Sequence, residues 1–129
     1  MSEKKTMALL KEGKLQFIEL HDTLEEYYKV LNCNLIECLE IKIGNQYFTL
    51  VMDEEGKLKD HYINCVFLDK NKKQIDYIAN HFIIQKYNHE IDEIIELDKN
   101  DIQLLNHWYK NCMKLIDFEN GRYVPTITI

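Results

Sequence analysis

Histidines and cysteines are the side chains of this sequence with the widest range of chemistry, because imidazole titrates near neutral pH and a thiolate is both nucleophile and metal ligand. The five histidines show no HxH or HExxH spacing, and the four cysteines form no CxxC pair. Spacing alone leaves open a carboxylate-rich metal site at His89-Glu90 with Asp92 or Glu93, or a nucleophile at Cys65 near His61. We expect neither a metal nor a cofactor, and reduced, mostly buried thiols.

Other catalytic patterns are missing from the sequence. Ser2 is the only serine and stands at the terminus, where a serine–histidine–carboxylate triad is implausible. No Walker A or Rossmann glycine pattern is present to bind phosphates through backbone amides. The sequence therefore predicts a protein that is not an enzyme.

The segment DEEGK offers a candidate ligand site. A turn of this kind points backbone amides and a lysine towards an anion, so Asp53, Gly56 and Lys57, with the amide of Asn64, are candidate ligand-binding residues. The structural alternative is a hairpin turn in which Gly56 has a positive φ and Asp53 bonds its own backbone. Both interpretations stay open at this point.

Carboxylates are concentrated between residues 90 and 101. Glu90, Asp92, Glu93 and Glu96 are candidate partner-binding residues, because clustered carboxylates imitate a phosphate array and attract the basic groove of another protein. A solvated surface explains the same residues without a partner. Eight tyrosines and Trp108 add to the case for a protein interface, although most of them are expected in the core.

The N-terminal half of the chain contains elements that would position these residues. A hairpin is predicted to turn at Gly13, and a helix is predicted over about 22–32, with Asp22 as its cap and Glu25 completing a capping box. Alternating apolar residues predict strands on both sides of Gly44-Asn45, the second of them central. The DEEGK segment is a second turn, and the following DHYINCVFLD is either a short strand or irregular.

The C-terminal half is predicted to contain one more strand and the longest helix. The strand lies around His81 to Lys86, and residues 90–95 fit either a short helix or a bulged strand. Apolar spacing from Ile102 to Ile116 predicts a helix over about 99–117, capped by Asp98 with Asp101. The final segment, 121–129, contains Pro125 and is expected to be an edge strand or an arm offered to a partner.

Length and composition limit the protein class. A chain of 129 residues that is 46% hydrophobic and 29% charged predicts one folded domain over 1–129. The expected fold class is α+β, with a mainly antiparallel sheet of about five strands. A net charge of -6 argues against direct nucleic-acid binding. No apolar run is long enough for a membrane span and no leader is recognisable, so we expect a cytoplasmic protein without membrane association.

Three segments carry a resemblance to a known family. DTLEEYYKVLNCNLIECLEI, YFTLVMDEEGKLKDHYIN, and IANHFIIQ with LDKNDIQLL resemble the domain-of-unknown-function family numbered 3846, which occurs in phages, plasmids and Firmicutes. Asp53 stands where that family commonly has Asn, and Asn80-His81 stands where a small residue is usual. The resemblance implies an α+β domain and a mobile-element setting, and it supplies no catalytic residues.

Two functions are expected from these observations. The favoured one is a non-enzymatic accessory protein of a phage or mobile element that binds a host macromolecule, for example as an inhibitor of host defence. The alternative is a small-ligand binding protein, or sponge, for nucleotides or nucleotide-derived signals. A homodimer through the C-terminal strand is a further expectation.

Overall fold

The computed structural model describes residues 3–59 and 62–129, so Ser2 and His61 lie outside the described residues. The fold is α+β and mostly antiparallel, as predicted. The elements in chain order are β1 (Lys4–Lys11), β2 (Lys14–His21), α1 (Leu24–Leu31), β3 (Ile36–Ile43), β4 (Gln46–Asp53), a 3₁₀ turn (Gly56–Leu58), β5 (Ile63–Leu68), β6 (Gln74–Ala79), β7 (Phe82–Asn88), β8 (Glu93–Ile95), α2 (Lys99–Asn111), β9 (Met113–Asp117) and β10 (Arg122–Thr128).

The described strands form two sheets rather than the single sheet of about five strands that was expected. The large sheet has the order β2-β1-β7-β4-β3, with β8 also pairing β7, and all its pairs are antiparallel. The small sheet has the order β6-β5-β10-β9, and β5 and β10 are parallel. The DEEGK segment is therefore a connection between sheets, not a hairpin turn, since β4 and β5 belong to different sheets.

The core has two layers on the two faces of the large sheet. One face packs against the small sheet and α2, and buries Phe48, Leu50 and Phe82. The other face packs against α1, where Leu31 lies against Val51 and neighbouring side chains. Both layers use alternate residues of the same strands, because successive side chains in a strand point to opposite faces. One domain therefore contains all the described elements.

The first hairpin turns where the sequence predicted. Glu12 and Gly13 both have positive φ, at 52° and 76°, between the paired residues Lys11 and Lys14. This is the conformation of a type I′ turn, whose twist matches that of the flanking strands. The predicted turn at Gly13 is confirmed.

Helix α1 lies within the predicted range, but the predicted cap is wrong. Thr23 is the N-cap, and its hydroxyl accepts a hydrogen bond from the Glu26 backbone N–H at 3.3 Å. Asp22 instead accepts a hydrogen bond from the Tyr27 hydroxyl. The helix ends at Leu31, and its C-cap residue, Asn32, has a φ of 52°.

Helix α2 begins as predicted and ends early. Asp98 and Asp101 form the predicted capping box, with backbone–carboxylate distances of 2.8 and 2.9 Å. The helix stops at Asn111 instead of continuing to 117, and residues 113–117 form β9. The reason is tertiary: the carbonyl of Cys112 accepts the Thr126 N–H at 2.7 Å, so the chain leaves the helix and pairs with β10.

The C-terminal segment is an interior strand, so the predicted edge strand or arm at 121–129 is wrong. Strand β10 pairs with β9 over 122–125 and with β5 over 126–128. Pairing with β5 begins one residue after Pro125, so the missing N–H of the proline falls outside that ladder. A dimer through this strand would compete with pairing that already exists within the chain.

The two ambiguous segments are resolved as strands. Residues 63–68 form β5, and 93–95 form β8 after a turn that includes Asp92, whose φ is 55°.

In the described part of the chain, neither helix has the length and hydrophobicity that crossing a membrane requires.

Candidate functional site

Asp53 ends β4, and both its carboxylate oxygens are bonded within the chain. One oxygen accepts the Glu55 backbone N–H at 2.9 Å, and the other accepts the Lys59 ammonium at 2.7 Å. Its side chain is fully buried. The predicted bond between Asp53 and the turn backbone is confirmed, and no carboxylate oxygen of Asp53 faces solvent.

Gly56 lies where the 3₁₀ turn approaches the backbone of β6 closely. Its φ is not positive, so the predicted reason for a glycine here is wrong. A Cβ at this position would lie 3.0 Å from the carbonyl oxygen of Ala79, at the end of β6. The absence of a side chain thus lets the 3₁₀ turn pack directly on the backbone of the small sheet.

Asn64 is buried at the junction of three segments. Its amide donates to the carbonyls of Leu10 at 2.9 Å and Asn80 at 3.0 Å, and its side-chain oxygen accepts the Gly13 N–H at 3.2 Å. Asn80 itself has a left-handed backbone with a φ of 71°. The Asn64 side chain therefore binds the first hairpin to the turn between β6 and β7. We call Asp53, Gly56, Asn64 and Asn80 the motif corner.

Lys57 is engaged with neighbours on β6. Its ammonium forms an ion pair with Asp76 and lies 4.8 Å from the centre of the Tyr77 ring. The hydrogen bond from Lys57 holds the pKa of Asp76 below its ordinary value of 3.8. The cation predicted to bind an anionic ligand is already neutralised by this carboxylate.

A cleft of about 230 Å³ lies between the edge strands β3 and β6. Asp53, Gly56 and Lys57 line this edge cleft, whereas Asn64 does not. The structure therefore brings together three of the four predicted ligand-binding residues. The other lining residues are apolar (Leu39, Met52, Phe67, Ile78, Ala79), carboxylates (Glu37, Glu54, Asp76) and Tyr77.

On the α1 side of the large sheet, helix α1 leaves one region uncovered. Gln85 faces this side, because its amide donates to the Tyr27 hydroxyl of α1 at 3.0 Å. Residues paired across the strands share a face, so Thr49 and Glu40, which continue the row from Gln85, face the same side. Exposed side chains on this side include Glu40, Lys42, Tyr47 and His89, and Tyr87 beside them is half-buried; we call these five residues the open face.

Side chains of the open face contact one another at the surface. His89 Nε2 lies 3.1 Å from a carboxylate oxygen of Glu40, and the His89 and Tyr87 rings meet edge to face at 4.8 Å. The Lys42 ammonium lies 5.6 Å from the centre of the Tyr47 ring, and Tyr47 is 58% exposed. The result is an exposed patch of aromatic and charged groups.

The predicted partner-binding carboxylates divide into three positions. Glu90 and Asp92 are exposed in the turn that follows His89, at the border of the open face. Glu93 pairs with Asn88, so its side chain belongs to the opposite face of the sheet. Glu96 accepts hydrogen bonds from the N–H and hydroxyl of Thr6, at 3.3 and 3.2 Å, and joins the end of β8 to β1.

A cluster around Tyr62 was not predicted from sequence. The Tyr62 hydroxyl accepts the Glu12 N–H at 2.7 Å and lies 3.0 Å from His81 Nδ1. The guanidinium of Arg122 lies 5.1 Å from the centre of the Tyr62 ring and donates to the Ile63 carbonyl. Burial raises the pKa of Tyr62. The one signal in the sequence was that Arg122 is its only arginine.

The cysteines are only partly as predicted. Cys33 and Cys65 are buried, but Cys38 is exposed and Cys112 is intermediate. Desolvation raises the pKa of the thiols of Cys33, Cys38 and Cys65 and so lowers their thiolate fraction. Within residues 3–59 and 62–129, no three histidine, cysteine or acidic side chains form a group that could hold a metal ion.

Comparison with known proteins identifies a family. The family model described as Domain of unknown function (DUF3846) matches residues 5–110. No curated protein and no solved structure matches the chain. The matched range contains the motif corner and the open face and ends before β9 and β10. The chain therefore belongs to the DUF3846 family.

Proposed function

We propose that this chain is a non-enzymatic accessory protein of a phage or other mobile element that binds a host protein through the open face. The observation that carries the proposal is the combination of exposed aromatic rings and carboxylates on an uncovered sheet face. Amphipathic aromatic residues anchor many protein interfaces, and surrounding charges select the partner and accelerate association. A partner with a basic surface is the expected complement.

The carboxylates bordering the open face set the chemistry of the partner. Glu40, Glu90 and Asp92 are exposed, and Lys42 is the one lysine or arginine among the open-face residues. This local excess has the same sign as the net charge of -6. Long-range attraction therefore favours a cationic protein and disfavours nucleic acid.

The non-enzymatic part of the proposal is supported by how the polar residues of the motif corner are used. Asp53 and Asn64 form hydrogen bonds inside the fold, and the raised pKa values of three thiols disfavour a cysteine nucleophile at neutral pH. The mobile-element setting and the cytoplasm of a host cell as its location are supported by the family resemblance. Inhibition of a host defence protein is one form that such binding would take.

A small ligand in the edge cleft is the second candidate function. Asp53, Gly56 and Lys57 line the cleft, but its volume of about 230 Å³ is below the usual range of about 300–1,000 Å³ for ligand pockets. Glu37 and Glu54 would repel a phosphate group, and Lys57 is already paired with Asp76. A panel of nucleotides at saturating concentration tests this candidate, because a ligand bound to the native state raises the melting temperature.

Capture from host lysate tests the favoured proposal. Tagged wild type is compared with a face variant, Glu40→Gln/Glu90→Gln/Asp92→Asn, and with a control variant, Glu3→Gln/Glu19→Gln/Glu119→Gln, in which the same charge change is made at exposed sites elsewhere. We expect one host protein to be retained by wild type and control, and lost from the face variant and at higher salt. Equal recovery on all three proteins would contradict the proposal.

A further inference from the structure

Strand β3 is an edge of the large sheet and is exposed on both sides. It pairs with β4 alone among the described strands, and its residues Glu37, Cys38, Leu39 and Glu40 are all exposed. Such an edge is a template for another strand unless it is protected. Here the edge borders the open face on one side and the edge cleft on the other.

The pattern of hydrogen bonds between β3 and β4 shows which backbone N–H and C=O groups of β3 point away from the sheet. The Glu54 N–H donates to the Leu35 carbonyl at 3.1 Å, so Leu35 bonds towards β4. Because this direction alternates along an antiparallel strand, Glu37 and Leu39 also bond towards β4. The N–H and C=O groups of Cys38 and Glu40 therefore point away from the sheet, where an added strand would bond.

Side chains on the two sides of β3 fit long cationic residues. On the cleft side, Leu39 offers exposed apolar surface beside the carboxylates of Glu37 and Glu54. In the described part of the chain, neither of these two carboxylates has an ion-pair partner. Lysine and arginine suit such a surface, because their aliphatic stems cover apolar groups while the charged ends reach carboxylates.

The protein itself contains an example of this contact. At the rim of the edge cleft, the Lys57 ammonium forms an ion pair with Asp76 and lies over the Tyr77 ring. On the other side of β3, Glu40 and Tyr47 of the open face offer the same pair of groups, a carboxylate and an aromatic ring. An extended segment with cationic side chains would therefore find complementary groups on both sides of the edge.

We infer that β3 accepts an extended lysine- or arginine-rich segment of the partner protein as an additional strand. This inference rests on the proposed function and specifies the part of the partner that is recognised. Backbone bonds to Cys38 and Glu40 would supply the pairing, and alternate side chains would enter the edge cleft and lie on the open face. A second copy of this chain is disfavoured, because each copy carries a net charge of -6.

The test uses a fluorescein-labelled, end-capped octapeptide of alternating lysine and threonine, with a glutamate–threonine peptide as control. Cys38→Pro removes the outward N–H of β3, which an edge strand tolerates. Cys38→Ala controls for the side chain. Glu19→Pro is the matched proline control, because Glu19 is exposed on β2, the opposite edge of the large sheet. Circular dichroism verifies the folding of each variant.

We expect the lysine peptide to bind wild type, Cys38→Ala and Glu19→Pro alike, and to bind Cys38→Pro at least tenfold more weakly. The glutamate peptide should not bind. In wild type, peptide addition should slow hydrogen exchange of the Cys38 and Glu40 amides, a readout that does not depend on any variant folding.

Three results would overturn strand addition: no binding of the lysine peptide, equal binding by Cys38→Pro, or unchanged exchange at Cys38 and Glu40. The proposed function is tested separately by the face variant in lysate capture. If the face variant loses the host protein while Cys38→Pro retains it, the open face is the interface and strand addition is wrong.

Discussion

In the motif corner, the polar side chains of Asp53 and Asn64 are buried and hydrogen-bonded within the chain. In the open face, by contrast, the side chains of Glu40 and His89 are about half to two-thirds exposed and contact each other at the surface. Both regions are polar, and both lie in the part of the chain that the family model matches. The difference shows that polar residues of the most distinctive sequence motif are used inside the fold, while less distinctive polar residues lie at the surface.

The largest effect on stability is expected at Asn64. Asn64→Ala leaves the buried carbonyls of Leu10 and Asn80 and the N–H of Gly13 without their partner. Since each unsatisfied buried group costs about 1–3 kcal/mol, the free energy of unfolding should fall by roughly 3 kcal/mol in urea titration. A loss below about 1 kcal/mol would show that the motif corner does not depend on this side chain.

Two substitutions of Asp53 distinguish the contributions that its two carboxylate contacts make to the free energy of unfolding. Asp53→Ala loses the bond from the Glu55 N–H and the ion pair with Lys59, and should cost about 2 kcal/mol. Asp53→Asn retains an acceptor for the Glu55 N–H and should cost about 1 kcal/mol. Equal losses in thermal or urea unfolding would show that the backbone bond contributes nothing.

The ion pair of Lys57 and Asp76 predicts a pH effect. Because the pKa of Asp76 is lowered in the folded state, the unfolded chain takes up this proton first, and the stabilisation present above pH 3.8 is lost as the pH falls through the folded-state pKa. Lys57→Gln should return the pKa of Asp76 towards 3.8, measured from its carboxyl carbon by NMR. An unchanged pKa would contradict the assigned cause.

The smallest stability effects are expected at the acidic turn. Glu90→Gln and Asp92→Asn remove exposed charges, and each should change the free energy of unfolding by less than about 0.5 kcal/mol. Glu96→Gln weakens the bonds to Thr6 and should cost slightly more. A large loss at Glu90 would show that the acidic turn is a structural element like the motif corner.

Local patterns in the sequence predicted two features that depend on neighbouring residues, although they assigned the cap of α1 to Asp22 instead of Thr23. The type I′ turn at Glu12-Gly13 and the capping box of Asp98 and Asp101 each arise within a few residues, so both were recognised. The early end of α2 and the interior position of β10 depend on pairing between residues distant in sequence, such as Cys112 and Thr126. Apolar spacing cannot report such pairing.

The candidate site shows the same limit. Sequence placed Asn64 with the DEEGK turn, but its partners Leu10, Gly13 and Asn80 come from other segments. It also grouped Glu93 with Glu90, although pairing with Asn88 turns Glu93 to the other face. The sequence did not predict Glu40 or Tyr47 as site residues. Their exposure depends on how much of the sheet face α1 covers, which is a tertiary property.

Affinity for the captured host protein tests the central claim most directly. The dissociation constant is measured for wild type, for the face variant Glu40→Gln/Glu90→Gln/Asp92→Asn, and for the control variant Glu3→Gln/Glu19→Gln/Glu119→Gln. If the open face is the binding surface, the affinity of the face variant should fall at least about tenfold and depend less on salt than that of wild type. The affinity of the control variant should change by less than about threefold. Equal affinities for the two variants would contradict the assignment of the open face as the binding surface.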